Sequence, residues 1–233
     1  MVAWVPLESN PEIFNGWATK AGLDPASGQF HDVYGLDEEL LAMIPRPAKA
    51  IILVFPWQEG LPRVNAENDA IKQQDGWSKV DGSVFWMEQT IGNACGPMAL
   101  MHAMANTDVS FTPASPLAEF FGSPSCKPPS TPSVGIARAD LFASIPAFTE
   151  INASMCNAGQ SAPVSADVHP AGAYTCFVKQ GGRIIELCGG RPGAIDRGPC
   201  DDLVNDVGRL VKDVFMEGIV SDGFNLMYLG EPM

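Results

Sequence analysis

Apolar positions along the chain change their period several times, and each change marks an element. Ile13, Phe14 and Trp17 recur at helical spacing behind Asn10-Pro11-Glu12, where a capping Asn, a first-turn Pro and an acidic residue suit a helix N-terminus. Gly22 predicts the end of that helix. Trp4 to Leu7 and Phe30 to Tyr34 read as short strands, and Ile51-Ile52-Leu53-Val54-Phe55, apolar throughout, reads as a strand central in a sheet. Between the last two, Asp37 to Ile44 predicts a short helix stopped by Pro45. The polar stretch from Glu59 to Val80 is assigned to the surface, helical around Asn65 to Gln73, and Leu117 to Phe121 predicts a short helix. Gly122 to Gly135, with prolines at 124, 128, 129 and 132, and Asn152 to Asp167, small and polar, predict two long loops.

The C-terminal third is more regular. Tyr174 to Lys179 and Arg183 to Cys188 flank Gly181-Gly182, which predicts a β-hairpin with a tight glycine turn. That turn sets Thr175 opposite Cys188, so Ala173 and Cys188 become diagonal neighbours on one face. Leu203, Val204, Val207, Leu210, Val211, Val214 and Phe215 give a core-packed helix opening on Asp201-Asp202, and Phe224 to Leu229 returns as a strand. Helices and strands mix without the rhythm of a parallel doubly wound sheet.

Composition sets limits on function. With 233 residues, 46% apolar and 18% charged, one folded domain over 1–233 is expected. The 14 Lys and Arg against 27 Asp and Glu give a net charge of −13, which disfavours nucleic acid and membrane surfaces as partners and suits a basic one. No apolar run approaches the roughly 20 residues of a bilayer span, and the N-terminal residues lack the basic-then-apolar pattern of a secretory leader. Six cysteines at irregular spacing, with no Cys-x-x-Cys pair and no Cys/His cluster, read as reduced thiols of a cytoplasmic or nuclear protein, with no metal or organic cofactor. Gly189-Gly190-x-x-Gly193 lacks the helix and the Lys of a phosphate loop.

The chemistry concentrates in Gln89-Thr90-Ile91-Gly92-Asn93-Ala94-Cys95-Gly96-Pro97. Pro97 belongs in a first helical turn, so Cys95 stands where helix amides and the helix dipole favour thiolate. Position alone fits a nucleophile and a small buried thiol equally well. Helix amides and the Gln89 side chain are candidate donors to an oxyanion. His102 is seven residues further on, about 10 Å along a helix axis, and reads as a packed core residue.

Gln89-Thr90-Ile91, Asn93-Ala94-Cys95-Gly96 and Leu100-Met101-His102-Ala103-Met104-Ala105-Asn106 resemble the active-site segment of the ubiquitin C-terminal hydrolases, the small single-domain branch. Trp4 to Pro11, Asp32 to Asp37, Met43 to Pro47, Arg183 to Leu187 and Phe224-Asn225 extend the resemblance over most of the chain. It implies an α+β, papain-like fold: a central, mostly antiparallel sheet between helical layers, with a knotted chain. It also implies a thiol hydrolase that releases small adducts from the C-terminal glycine of ubiquitin or a ubiquitin-like protein. Cys95 would be the nucleophile and Gln89 the oxyanion donor. Pro6, Leu7, Glu8, Asn10, Phe224 and Asn225 would contact ubiquitin, and the segment 152–167 would be the crossover loop limiting leaving groups to small ones.

Two positions depart from the family. The general-base His falls on Ala173 and its orienting Asp on Cys188. The nearest imidazole in sequence is His169, about 13 Å away along an extended strand, yet His169-Pro170-Ala171-Gly172 has the signature of a type I turn whose ends lie within about 7 Å. If the turn folds back, His169 is a displaced base; if not, it is an exposed loop residue. Cys188 is a poor substitute for a carboxylate, leaving Asp167, Glu186 or Asp196 to orient an imidazole. Two alternatives therefore stand beside the hydrolase: a catalytically impaired ubiquitin-binding protein, and a family member redirected to another acyl substrate.

Overall fold

The structure is a computed structural model, and it describes residues 3–73, 80–159 and 171–233. In chain order the elements are α1 (Pro11–Ala21), β1 (Gln29–Asp32), α2 (Glu38–Ala42), β2 (Ala50–Pro56), α3 (Trp57–Gln73), α4 (Cys95–Ala105), α5 (Pro116–Gly122), α6 (Pro132–Ser144), α7 (Pro146–Cys156), β3 (Gly172–Gln180), β4 (Arg183–Leu187), β5 (Ile195–Pro199), α8 (Leu203–Leu210) and β6 (Asn225–Gly230). The strands form one sheet, order β1-β6-β2-β3-β4-β5, every neighbouring pair antiparallel. This is the expected α+β architecture.

Period-two alternation divides the core between the two faces of the sheet. Ala50 and Ile52 of β2 join the larger cluster, with α1, α4, α5 and the aromatic side chains of α6 and α7. Ile51, Leu53 and Phe55 join the smaller one, with Leu41 of α2, Val64 of α3 and Val204, Val207 and Val211 at the end of the chain. Helices therefore cover both faces, and β2 and β3 lie at the centre. No helix among the described residues is long and apolar enough to cross a membrane.

Several local readings hold in detail. Asn10 caps α1 by accepting from the Glu12 amide at 2.8 Å, and Gly22, at φ +118°, closes it. Gly181 and Gly182, at φ +57° and +74°, make the mirror-image turn that joins β3 to β4. Asp202 caps α8 through the Asn205 amide, and a π-helical turn from Val211 to Phe215 continues it.

Others are corrected. Trp4 to Leu7 is not a strand: among the described residues it makes no ladder beyond the single bridge from Ala3 to Gly92, and Trp4 and Leu7 are both turned into the core. The helix placed at 65–73 begins at Trp57, and its buried Gly60 and Val64 rest on the sheet rather than at the surface. The proline-rich stretch 122–135 holds a 3-10 turn at Pro124–Cys126 and the start of α6 at Pro132. Residues 152–156 of the expected crossover loop complete α7, where Asn152 and Met155 share a buried face and Asn152 donates to the Val5 carbonyl at 3.0 Å. Residues 160–167 lie outside the described residues. The error at 122–135 has a plain cause: proline opens α1, α5, α6 and α7, where its missing N–H costs nothing, so prolines there mark helix starts.

Candidate active site

Helix α4 carries the central residue. From Gly96 to Met104 every residue of it is buried, so its first residue, the half-buried Cys95, opens into a groove by default of any other exposed surface nearby. Ala94 at the N-cap offers no side-chain oxygen, which leaves the first-turn amides to whatever enters that groove. Burial pushes the Cys95 thiol above its ordinary pKa, and the backbone amides of Tyr174, Gly96 and Cys95 itself oppose that only in part.

The groove measures about 410 Å³, and Cys95 shares its walls with Gln89, Asn93, Ala173, Cys188 and Gly190. Gln89 is held by its own amide, which donates to the Gly189 carbonyl at 2.9 Å. Among the described residues its side chain donates once, to the Ile91 carbonyl at 3.1 Å, which keeps a second N–H for a ligand. A Cβ on Gly189 would stand 2.8 Å from the Gln89 Cβ and 2.9 Å from its nitrogen, so only glycine permits this approach. Asn93, at φ +58°, turns the chain from Gln89 into α4.

The hairpin register is the expected one. Cys176 faces Leu187, so Thr175 stands opposite Cys188, and both Ala173 and Cys188 reach the groove. Burial lifts the Cys188 thiol to about 11. Its backbone carbonyl accepts from the Trp86 indole at 3.0 Å. Among the described residues no imidazole reaches Cys95: His31 contacts the Glu231 carbonyl and His102 is wholly buried in α4. His169 and Asp167 lie outside the described residues. Neither other candidate orienting carboxylate is available. Asp196 pairs with Arg183, and Glu186 is taken by Arg197 and by the Thr175 hydroxyl at 3.2 Å.

The chain belongs to the ubiquitin carboxyl-terminal hydrolase family. Residues 4–219 match the family model "Ubiquitin carboxyl-terminal hydrolase, family 1". Ubiquitin carboxyl-terminal hydrolase 3 of Arabidopsis thaliana is 31% identical over 98% of this chain and 94% of its own length. The Saccharomyces cerevisiae ubiquitin carboxyl-terminal hydrolase YUH1 is 34% identical over 88% of this chain and 83% of its own. Among solved structures, the Trichinella spiralis UCH37 catalytic domain bound to ubiquitin vinyl methyl ester matches with a TM-score of 0.70 and 20% identity, over 98% of this chain and 95% of that one. At that identity it supports the fold alone. Within this hydrolase family fold, Cys95 and Gln89 meet at one groove, and hairpin residues Ala173 and Cys188 bring a methyl and a thiol to its wall.

The segments expected to contact ubiquitin also come together. The Ser9 hydroxyl donates to Asn225 Oδ1 at 2.8 Å, which joins the N-terminal segment to the start of β6. Pro6, Glu8, Phe224 and Asn225 stay partly accessible. The Leu7 side chain is buried against Gly96, and its carbonyl accepts from the Tyr174 hydroxyl at 2.9 Å. Asn10 spends its side-chain oxygen on the α1 cap.

Sequence patterns missed two features. Trp57 and Gln58, at the start of α3, form part of the groove wall. Behind the hairpin, Glu67 of α3 and Glu186 of β4 meet Arg191 and Arg197. Arg197 contacts both carboxylates at 2.6 to 2.9 Å, and Arg191 lies 2.5 Å from Glu67 and 3.7 Å from Glu186. Burial alone would raise Glu67, but the hydrogen bonds and charge of Arg197, then of Arg191, hold its carboxyl at about 2. The one legible signal was the glycine pair at 189–190, which lets the chain turn back over Gln89.

His102 provides a test of the core beneath the site. Its Nε2 accepts from the Met87 amide at 3.2 Å and burial lowers its pKa to about 3, so it stays neutral in the fold. In the unfolded chain it protonates near pH 6.5, so below that pH the unfolded state binds the extra proton and stability falls until pH reaches about 3. Urea midpoints should therefore drop between pH 6.5 and 5, by about 2 kcal/mol from this residue. His102→Gln should flatten that limb; an unchanged slope would contradict the assignment.

Proposed function

We propose that this chain is a cysteine hydrolase that releases small adducts from the C-terminal glycine of ubiquitin or a ubiquitin-like protein. Cys95 attacks the glycine carbonyl, Gln89 and the first amides of α4 receive the oxyanion, and an acyl-enzyme forms and is then hydrolysed. The observation that carries this reading is the meeting of Cys95 and Gln89 in one groove of a ubiquitin carboxyl-terminal hydrolase fold. The net charge of −13 suits a basic C-terminal tail, and His169 is the proposed displaced base. Six free thiols agree with the cytoplasm, or the nucleus, as the place of action.

The second reading, a ubiquitin-binding protein with impaired catalysis, is favoured by Ala173 and Cys188, which line the groove and occupy the positions that the sequence resemblance gives to an imidazole and a carboxylate. One experiment separates them. Ubiquitin bearing a thiol-reactive group in place of its terminal carboxylate is expected to capture the wild-type protein, Cys95→Ala to abolish capture, and His169→Ala to slow it sharply. Ubiquitin binding without capture would establish the second reading, and no binding at all would sink both.

A further inference from the structure

A second groove, of about 420 Å³, adjoins the first, and Gln89 and Gly190 line both. Its other walls include Asn68 and Lys72 of α3, Glu88 and Arg191. Its place relative to the nucleophile follows from strand register. Asn225 of β6 pairs with Val54 of β2, Val54 with Tyr174 of β3, and the β3–β4 register carried one step beyond Thr175 and Cys188 sets Tyr174 opposite Gly189. The residues that join the N-terminal segment to β6 thus lie on one side of the groove of Cys95, and the second groove opens on the other.

Charge on that far side is unbalanced. Arg63, Arg191 and Arg197 face two carboxylates, Glu67 and Glu186. Among the described residues the cluster therefore carries one surplus positive charge. Its donors are also in surplus: among the described residues Arg63 Nη2, Arg191 Nε and Arg191 Nη1 are buried with no hydrogen-bond partner. The Arg191 side chain is 1% exposed, so water cannot screen it as it screens Lys72, whose own partner Asp69 is 3.5 Å away. Glu88 on the wall is partly exposed and offsets the surplus only through solvent. A buried cation with unmet donors favours an arriving carboxylate.

We propose that the second groove receives the leaving group, and that it selects leaving groups carrying a free carboxylate, such as an amino acid or short peptide joined through an amine to the terminal glycine. The inference rests on the hydrolase reading above. In the reaction the Cys95 sulfur bonds to the glycine carbonyl carbon, the carbon–nitrogen bond breaks, and the nitrogen leaves as an amine with the proton the thiol gave up. Water then cleaves the thioester, returning the thiol and a free glycine carboxylate. Arg191 touches only the departing amine's carboxylate.

The test compares ubiquitin adducts in two pairs: glycine joined through its α-amine, and Nα-acetyl-lysine joined through its ε-amine, each as the free acid and as the carboxamide. The wild-type protein should favour the acid in at least one pair by about fivefold in kcat/KM at low salt. Arg191→Gln should bring the ratio to one, whereas Glu67→Gln, which enlarges the positive surplus, should increase it. Damage to the fold cannot move the ratio in opposite directions. Equal rates for acid and carboxamide in both pairs, with Cys95 still captured by the ubiquitin probe, would overturn the inference and leave the hydrolase reading standing. Absence of both capture and turnover would overturn that reading, and the inference with it.

Discussion

In a His169→Ala background, Ala173→His combined with Cys188→Asp is expected to raise kcat/KM for a small ubiquitin C-terminal amide by about 10² to 10⁴, the usual contribution of a placed general base. The groove supplies the reason. Both positions lie on its wall with Cys95, on adjacent strands whose register brings them diagonally together. An imidazole at 173 would take the thiol proton, and the resulting cation would stabilise the thiolate that burial now disfavours. A carboxylate at 188 would hold the ring in the useful tautomer. The single changes should do less. Ala173→His alone leaves its ring facing a thiol, a weak acceptor, and Cys188→Asp alone buries a carboxylate with no cation beside it. Steady-state rates of the four proteins, with the pH dependence of Cys95 alkylation, measure this. A double variant no faster than the His169→Ala background would show that positions 173 and 188 do not set a base and its orienting carboxylate beside Cys95.

Glu186→Ala is expected to cost about 3 to 5 kcal/mol of stability, measured from urea midpoints at pH 7. Glu186 is 2% exposed, and its two oxygens serve Arg197, Arg191 and the Thr175 hydroxyl. Truncation leaves two buried guanidiniums sharing Glu67 alone. The loss should also reach the active site, because the Arg191 amide donates to the Cys188 carbonyl at 3.2 Å, in the turn that positions Gly189 over Gln89. Glu186→Gln keeps an acceptor for Thr175 and should cost less. Arg183→Ala breaks only the exposed pair with Asp196 and should leave the midpoint unchanged. Equal midpoints for Glu186→Ala and Arg183→Ala would show that the cluster contributes nothing to the fold.

Much of this molecule is decided within short stretches of chain. Asn10, Pro11 and Gly22 bound α1 through contacts no more than four residues long, and Gly181-Gly182 fixes the turn and hence every pair of the β3–β4 ladder. The same locality made Cys95 legible, since Pro97 in the first turn sets a helix N-terminus at the thiol, and it allowed Ala173 and Cys188 to be paired by counting from the turn. What remained hidden depends on distance along the chain. Residues 4–7 look strand-like, but Trp4 packs on Phe142 and Leu7 on Gly96, each more than 80 positions away. The prolines of 124–132 read as loop until α6 is seen to pack behind them. Glu67 meets Arg197 across 130 residues, and no local pattern records that meeting. Local sequence determines where elements start, turn and stop because backbone capping and turn geometry are satisfied by near neighbours. Which side chains share a groove or a buried charge is settled only when distant surfaces are desolvated together, and that is a property of the packed structure.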